Sequence, residues 1–371
     1  MLIWFIFFLI TYIFIYKYNQ ASNDKNKNIW FISILFVLIY FAAFRDGLGM
    51  DYTAYKSYCE RDVSRVADWW MIEPLAAVIQ SFCYNTDFSA VIFFLITSII
   101  IYTCCLWVYR KLDNAYLAMF TFVTYTNLYS SSFNLVRQFV AASIILLGTY
   151  LFIIKSRVPL YFLFVLAAFF FHKSAAIFIF IYFLRKEDYN PTLWTVFILA
   201  SLVVDVQPIF NIPIIRALLI ASDYLGYLNH NENAYSEFSL SNIYMHAICL
   251  LFIWNKTKIL ACKNKELCIF ALKMSVISVI CCNFSSGSLA FAYRYAIFCS
   301  VFIPIMFSFL PNLIGKQHSK WLVYIPLTIL IWNLFYLRQD DRIYCPEKIL
   351  PIESIYDQNY RPYDNPNVIV I

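Results

Sequence analysis

Arg45, Asp51, Glu73, Arg137, His172 and Arg294 are the side chains here whose types and settings suit anion and acid–base chemistry. They lie in "FRDGLGMDY" (44–52), "EPLAAVIQSFCY" (73–84), "SSSFNLVRQFV" (130–140), "FFFHKSA" (169–175) and "SSGSLAFAYRYAIF" (285–298). Each stretch borders an apolar run. An ionisable group there is costly unless it faces water, pairs or binds something. Arginine keeps its charge and presents a planar fork that matches phosphate oxygens, so Arg45, Arg137 and Arg294 at one level predict an anion, such as the diphosphate of a lipid. His172 takes up a proton near neutral pH, which suits a general base acting on a sugar hydroxyl. Asn134, Arg137 and Gln138 share a helix face at i, i+3 and i+4 spacing, so that polar stripe is expected to face a cavity.

The acids are less determined. Asp51 follows Gly47 and Gly49, where the chain can turn sharply. It stands open between an arginine partner, an orienting group for His172 and a sugar contact. Glu73 precedes Pro74 at a helix start, where an acid is favourable. It stands open between a cap or arginine partner and a substrate contact. Tyr52, Tyr293 and Tyr295 suit stacking on sugar rings, and tyrosine is also ordinary at a membrane interface.

The elements that position these groups follow from composition. The 371 residues are 62% hydrophobic and 13% charged, about half the charge of a soluble domain. That much apolar surface needs a bilayer as solvent. Apolar segments fall near 2–16, 29–44, 88–108, 115–131, 138–154, 158–171, 174–184, 192–204, 242–254, 267–283, 291–310 and 321–337. In lipid they must be helices, because each backbone amide needs an internal partner. The expectation is an all-α polytopic membrane protein with 11–12 transmembrane helices. Residues 1–337 form the membrane domain, and 338–371 form a polar, extracytoplasmic tail. The first segment lacks a positive n-region and a small-residue cleavage site, so it reads as a retained span.

Lysine and arginine set the orientation. With the N-terminus outward, the loops 17–28, 109–114, 155–158, 185–191, 255–266 and 311–320 are short and all cationic. The opposite side holds the longer, more acidic segments. The bias puts the cationic loops in the cytoplasm, and the motifs of Arg45, Arg137, His172 and Arg294 at the outer boundary. The stretch 158–184 is long for one span and carries cations at both ends. It predicts a hairpin of two short helices with His172-Lys173-Ser174 at its tip. Segment 206–222, with two prolines, reads as interfacial or re-entrant. Most of the eleven cysteines sit in spans. Cys59, Cys83 and Cys345 lie in polar segments and can pair where that side is oxidising.

Some chemistry is missing. The chain has no Gly-rich phosphate loop, GxSxG, HExxH or DxD, and no cysteine spacing for a metal. The net charge of +6 comes without a basic run interleaved with aromatics, so nucleic acid is not an expected partner.

The order "FRDGLGMDY", "EP", "NLVRQFVAASI", "FFFHKSA" and a late "YRY" resembles the EpsG family of Wzy-type polysaccharide polymerases, over roughly residues 30–310. The resemblance implies a bacterial inner-membrane glycosyltransferase that needs neither metal nor cofactor. It would move a glycan from an undecaprenyl-diphosphate carrier onto a lipid-linked repeat unit, in capsule, exopolysaccharide or O-antigen synthesis. Arg45, Arg137 and Arg294 would then bind diphosphate, and His172, with Asp51, would be catalytic. Asn134, Gln138, Glu73, Tyr52 and Tyr295 would contact sugar or orient other groups. A flippase and a chain-length regulator would be partners, beside membrane lipid. The alternatives are a transporter of lipid-linked oligosaccharide, an O-antigen ligase-like enzyme and an acyltransferase.

Overall fold

The computed structural model describes residues 2–47, 51–60, 73–84, 86, 88–125, 128–155, 158–185, 188–204, 212–213, 240–286, 290–315, 318–319, 324–325 and 348–349. Most of the proposed interfacial piece 206–222, most of the span at 321–337, Gly49 and Cys345 lie outside the described residues, as does the tail apart from 348–349.

The fold is helical, as the apolar runs require. Helices α1 (Leu2–Gln20) and α2 (Asp24–Ala43) form an antiparallel pair joined by a short turn. Asn23 caps α2 by accepting from the Asn26 amide at 2.7 Å. Beyond α2, β1 (Arg45–Asp46) pairs antiparallel with β2 (Lys348–Ile349). Then come α3 (Tyr52–Glu60), α4 (Pro74–Tyr84), α5 (Ser89–Tyr109), α6 (Ala115–Thr124), α7 (Val136–Lys155) and α8 (Val158–Phe171). Among the described residues, four helices are long and apolar enough to cross a membrane: Asp24–Ala43, Ser89–Tyr109, Val136–Ile153 and Lys265–Phe284.

Residues 158–185 are the expected hairpin. The α8 arm ends at His172, and the chain returns through a 3-10 turn (Lys173–Ile177), the single turn α9 (Phe178–Ile181) and another 3-10 turn (Tyr182–Arg185). Tyr161 donates to the Phe178 carbonyl at 2.6 Å, and Phe162 lies 5.3 Å from the Tyr182 ring. These contacts tie the two arms side by side, so a single tilted helix is ruled out.

Two expected spans are interrupted. The run 115–131 is helical only to Thr124, where Tyr125 becomes extended. The chain then makes a 3-10 turn at Ser131–Phe133 before α7. The tolerated reason is burial: Tyr129 and Phe133 are enclosed by protein, and Tyr129 donates to the Leu38 carbonyl at 3.0 Å. The run 291–310 breaks into α14 (Ala290–Ser300), α15 (Ile303–Ser308) and α16 (Leu310–Ile314). Pro304 and Pro311 stand at the first turns of the last two, where a missing amide costs nothing. Between the hairpin and these lie α10 (Pro191–Ala200), α11 (Leu240–Trp254), α12 (Lys256–Leu260) and α13 (Lys265–Ser286).

One end of the bundle is stitched through the cationic loops. Arg110 donates to Asn28 Oδ1 at 2.7 Å. Asn114 donates to the Ser308 carbonyl at 2.8 Å, and Lys258 to the Leu313 carbonyl at 2.6 Å. Lys256 meets Asp188 at 2.5 Å. These links bring five of the lysine- and arginine-bearing segments to one face, as the charge bias predicts. Lys273, the mid-span charge of α13, reaches the Leu184 and Asp188 carbonyls at 3.0 and 3.3 Å.

The close approach of α7 and α8 rests on one residue. A Cβ added at Gly148 would lie 2.5 Å from Phe164 Cβ, inside any real contact distance. Gly148→Ala is therefore expected to destabilise by about 1–3 kcal/mol through overpacking, and Gly148→Leu by more. Thermal unfolding in detergent checks this.

Candidate functional site

The site forms opposite the cationic face, where α4, α7 and the hairpin tip converge. The Glu73 carboxylate is its centre. Oε1 accepts from His172 Nδ1 at 2.7 Å and from the Lys173 backbone N–H at 3.4 Å. Oε2 accepts from Arg137 Nη1. Glu73 is 4% exposed and His172 5%. Burial pushes the carboxyl toward its neutral form. The His172 hydrogen bond and the Arg137 charge outweigh that and hold it below the ordinary carboxylate range.

Local structure explains each placement. Glu73 precedes Pro74 and accepts from the Ala77 amide through its carbonyl at 3.1 Å, opening α4. Its side chain is thus free to leave the helix. His172 has extended backbone (φ −158°, ψ 117°) between α8 and the 3-10 turn. Its amide donates to Ala168 and its carbonyl accepts from Ala175. The imidazole lies parallel to Phe298 of α14, 6.1 Å away. Arg137 stands in the first turn of α7 and hydrogen-bonds Tyr55 of α3 as well as Glu73.

The protonation pattern follows. An ionised Glu73 can only accept, so His172 Nδ1 carries the proton. In the neutral ring Nε2 is then an acceptor. That nitrogen is buried and has no hydrogen-bond partner among the described residues. The arrangement presents a basic nitrogen, held by a carboxylate, beside two guanidinium groups.

Gln138 donates to the Arg294 carbonyl and so ties α7 to α14. The Arg294 and Arg137 charges act on both His172 and Asp51. Burial raises the Asp51 carboxyl above its usual range, against the pull of those two arginines. Asp51 thus belongs to the arginines' surroundings, and the carboxylate on His172 is Glu73. Asn134 lies in the turn just before α7 rather than within it; its amide donates to the Ser131 carbonyl at 3.2 Å. Tyr293 lies 3.4 Å from Ser131 Oγ. Tyr295, next to Arg294, is half-buried.

Two expected ligands are turned inward. Arg45 is 3% exposed. It donates to the Ala42 and Phe133 carbonyls, the latter at 3.0 Å, and its guanidinium lies 3.9 Å over Phe94 and 5.0 Å over Phe133. It closes the end of α2 against the 3-10 turn before α7. Tyr52 stacks on Phe94 at 5.4 Å and is 4% exposed.

Removing the Glu73 carboxylate leaves Arg137 and His172 without their shared partner. Glu73→Ala is expected to cost about 3–5 kcal/mol, read as a lower unfolding temperature in detergent. Because the folded value lies below the ordinary 4.5, this contribution is complete above 4.5 and is lost as pH falls through the depressed value. A flat stability profile across that range contradicts the assignment. Arg45→Lys cannot reproduce two carbonyl contacts and a ring stack. It should lose about 1–3 kcal/mol, whereas Arg137→Lys keeps a charge beside Glu73 and unfolds close to wild type.

No curated protein and no solved structure matches the chain. The EpsG family model matches residues 27–345, a stretch that includes Glu73, Arg137, His172 and Arg294. The chain belongs to the EpsG family, which includes Wzy-type polysaccharide polymerases.

Proposed function

We propose that this protein is a polysaccharide polymerase acting on lipid-diphosphate-linked glycans at the outer face of the bacterial cytoplasmic membrane. The observation that carries the reading is His172 Nε2, a buried acceptor nitrogen without a partner among the described residues. It sits at a hairpin tip in the field of Arg137 and Arg294.

In this reading, Nε2 takes the proton from the acceptor sugar's hydroxyl. The oxygen attacks the anomeric carbon of the donor glycan, and the bond to the carrier's diphosphate breaks. Glu73 holds the imidazole in the correct tautomer and stabilises the imidazolium that forms. Arg137 and Arg294 stabilise the charge on the leaving diphosphate, which is the electrostatic help such a transfer needs. They take the place that a metal ion has in other transferases. Asp51 lies near both arginines and suits a contact to sugar hydroxyls, with Asn134 and Tyr295 at the rim. Arg45 acts indirectly by fixing the turn that leads to Arg137. The carrier is undecaprenyl diphosphate, the site faces away from the cytoplasm, and a flippase and a chain-length regulator are the expected partners. The pathway is capsule, exopolysaccharide or O-antigen synthesis.

A transporter of the same lipids is less well supported. Its signature is polar groups at mid-membrane, and the Lys273 ammonium is engaged by the Leu184 and Asp188 carbonyls toward the cationic face.

Purified protein given lipid-diphosphate repeat units should build a ladder of longer glycans. His172→Ala is expected to lower ladder formation by about 10²–10⁴-fold, with folding retained. Full activity in that variant refutes the base assignment. Thiol labelling of cysteines placed at 137, 172 and 294 should occur from one side only; labelling from both sides favours the transporter.

A further inference from the structure

Cys59 and Cys83 occupy one small core apart from the main one. Cys59 is near the end of α3 and Cys83 near the end of α4. Both thiols are free in the structure and fully buried, in a cluster with Tyr52, Tyr55, Phe93, Phe94 and Val136. Burial, then the neighbouring Cys83 sulfur, pushes the Cys59 thiol above its ordinary range. The other described cysteines lie within α5, α11, α13 and α14 or near the cationic end. Among the described cysteines, this pair alone spans the two short helices that flank the site.

We propose that Cys59 and Cys83 form a disulfide in the mature protein, closing a loop that contains Glu73. The inference rests on the reading that this face lies outside the cytoplasm, where disulfides persist. The oxidant is a protein disulfide of the thiol–disulfide exchange class. One cysteine thiolate attacks it to give a mixed disulfide, and the second displaces the oxidant. One S–S bond forms in the chain and one is lost from the oxidant, whose two sulfurs leave as thiols with both protons. Exchange occurs before the cluster closes, because buried neutral thiols are poor nucleophiles. The link holds α3, which carries Tyr55 against Arg137, to α4, which begins at Glu73. It thereby fixes both partners of the arginine from one covalent point.

The test counts thiols on full-length protein taken from membranes and denatured in detergent. Free thiols are blocked with N-ethylmaleimide, the protein is reduced or left alone, and a polyethylene-glycol maleimide reports new thiols as gel shifts. Two extra adducts are expected after reduction in wild type and in Cys345→Ser, and none in Cys59→Ser or Cys83→Ser. Equal adduct numbers with and without reduction overturn the proposal, as does a gain that survives in Cys83→Ser or vanishes in Cys345→Ser. The count does not depend on catalysis, so it stands even if the polymerase reading fails. In the ladder assay, reductant should lower wild-type activity several-fold and leave the Cys59→Ala/Cys83→Ala protein unaffected. A reductant-insensitive wild type overturns the role given to the link.

Discussion

A carboxylate held almost out of water must be compensated on both oxygens, and Glu73 finds that compensation 64 and 99 residues along the chain. Arg137 and His172 each meet the same constraint from the other side. A half-buried guanidinium needs an acceptor, and a buried imidazole needs its proton located. One short bridge therefore sets the relative depth of α4, α7 and the hairpin tip. The surrounding devices serve that registration. Gln138 ties α7 to α14, Phe298 of α14 backs the imidazole, and Arg45 fixes the turn before α7. Moving any of these elements by an ångström would break these contacts.

The opposite face is organised differently. Its lysines and arginines bind backbone carbonyls and amide side chains in a string that crosses several loops. Such bonds are tolerant of exact geometry, because a lysine stem is long and its ammonium rotates. One face is thus fixed tightly by a few largely buried charges, and the other loosely by many cations.

Much of this was legible in the sequence because membrane insertion leaves few options. Apolar length gives helices, charge bias groups the cationic loops on one face, and the cations flanking 158–184 give a hairpin with His172 at its tip. Those inferences use local properties, and the structure bears out the helical, hairpin-bearing fold. Pairings are another matter. Asp51 and Glu73 are both acids near a glycine or proline, and nothing local says which one reaches a histidine about a hundred residues away. Arg45 and Arg137 look alike in sequence, yet one is spent on carbonyls and aromatic rings while the other meets a carboxylate. The stops at Thr124 and Ser300 were also hidden. Both lie inside continuous apolar runs, and what permits them is the protein packed around them.

The hairpin is short. The 14 residues of α8 rise roughly 21 Å, against a hydrocarbon core of about 30 Å. Its outer surface is still made for lipid: Leu163, Leu166, Phe180 and Phe183 are exposed. A lipid-facing element of that length thins the bilayer around it. On the proposed function, the imidazole lies at the floor of that thinned region, and a lipid carrier would have its headgroup lowered with the leaflet. Bilayer thickness becomes a variable of the proposed reaction, since a thicker membrane resists the thinning and a thinner one makes it unnecessary.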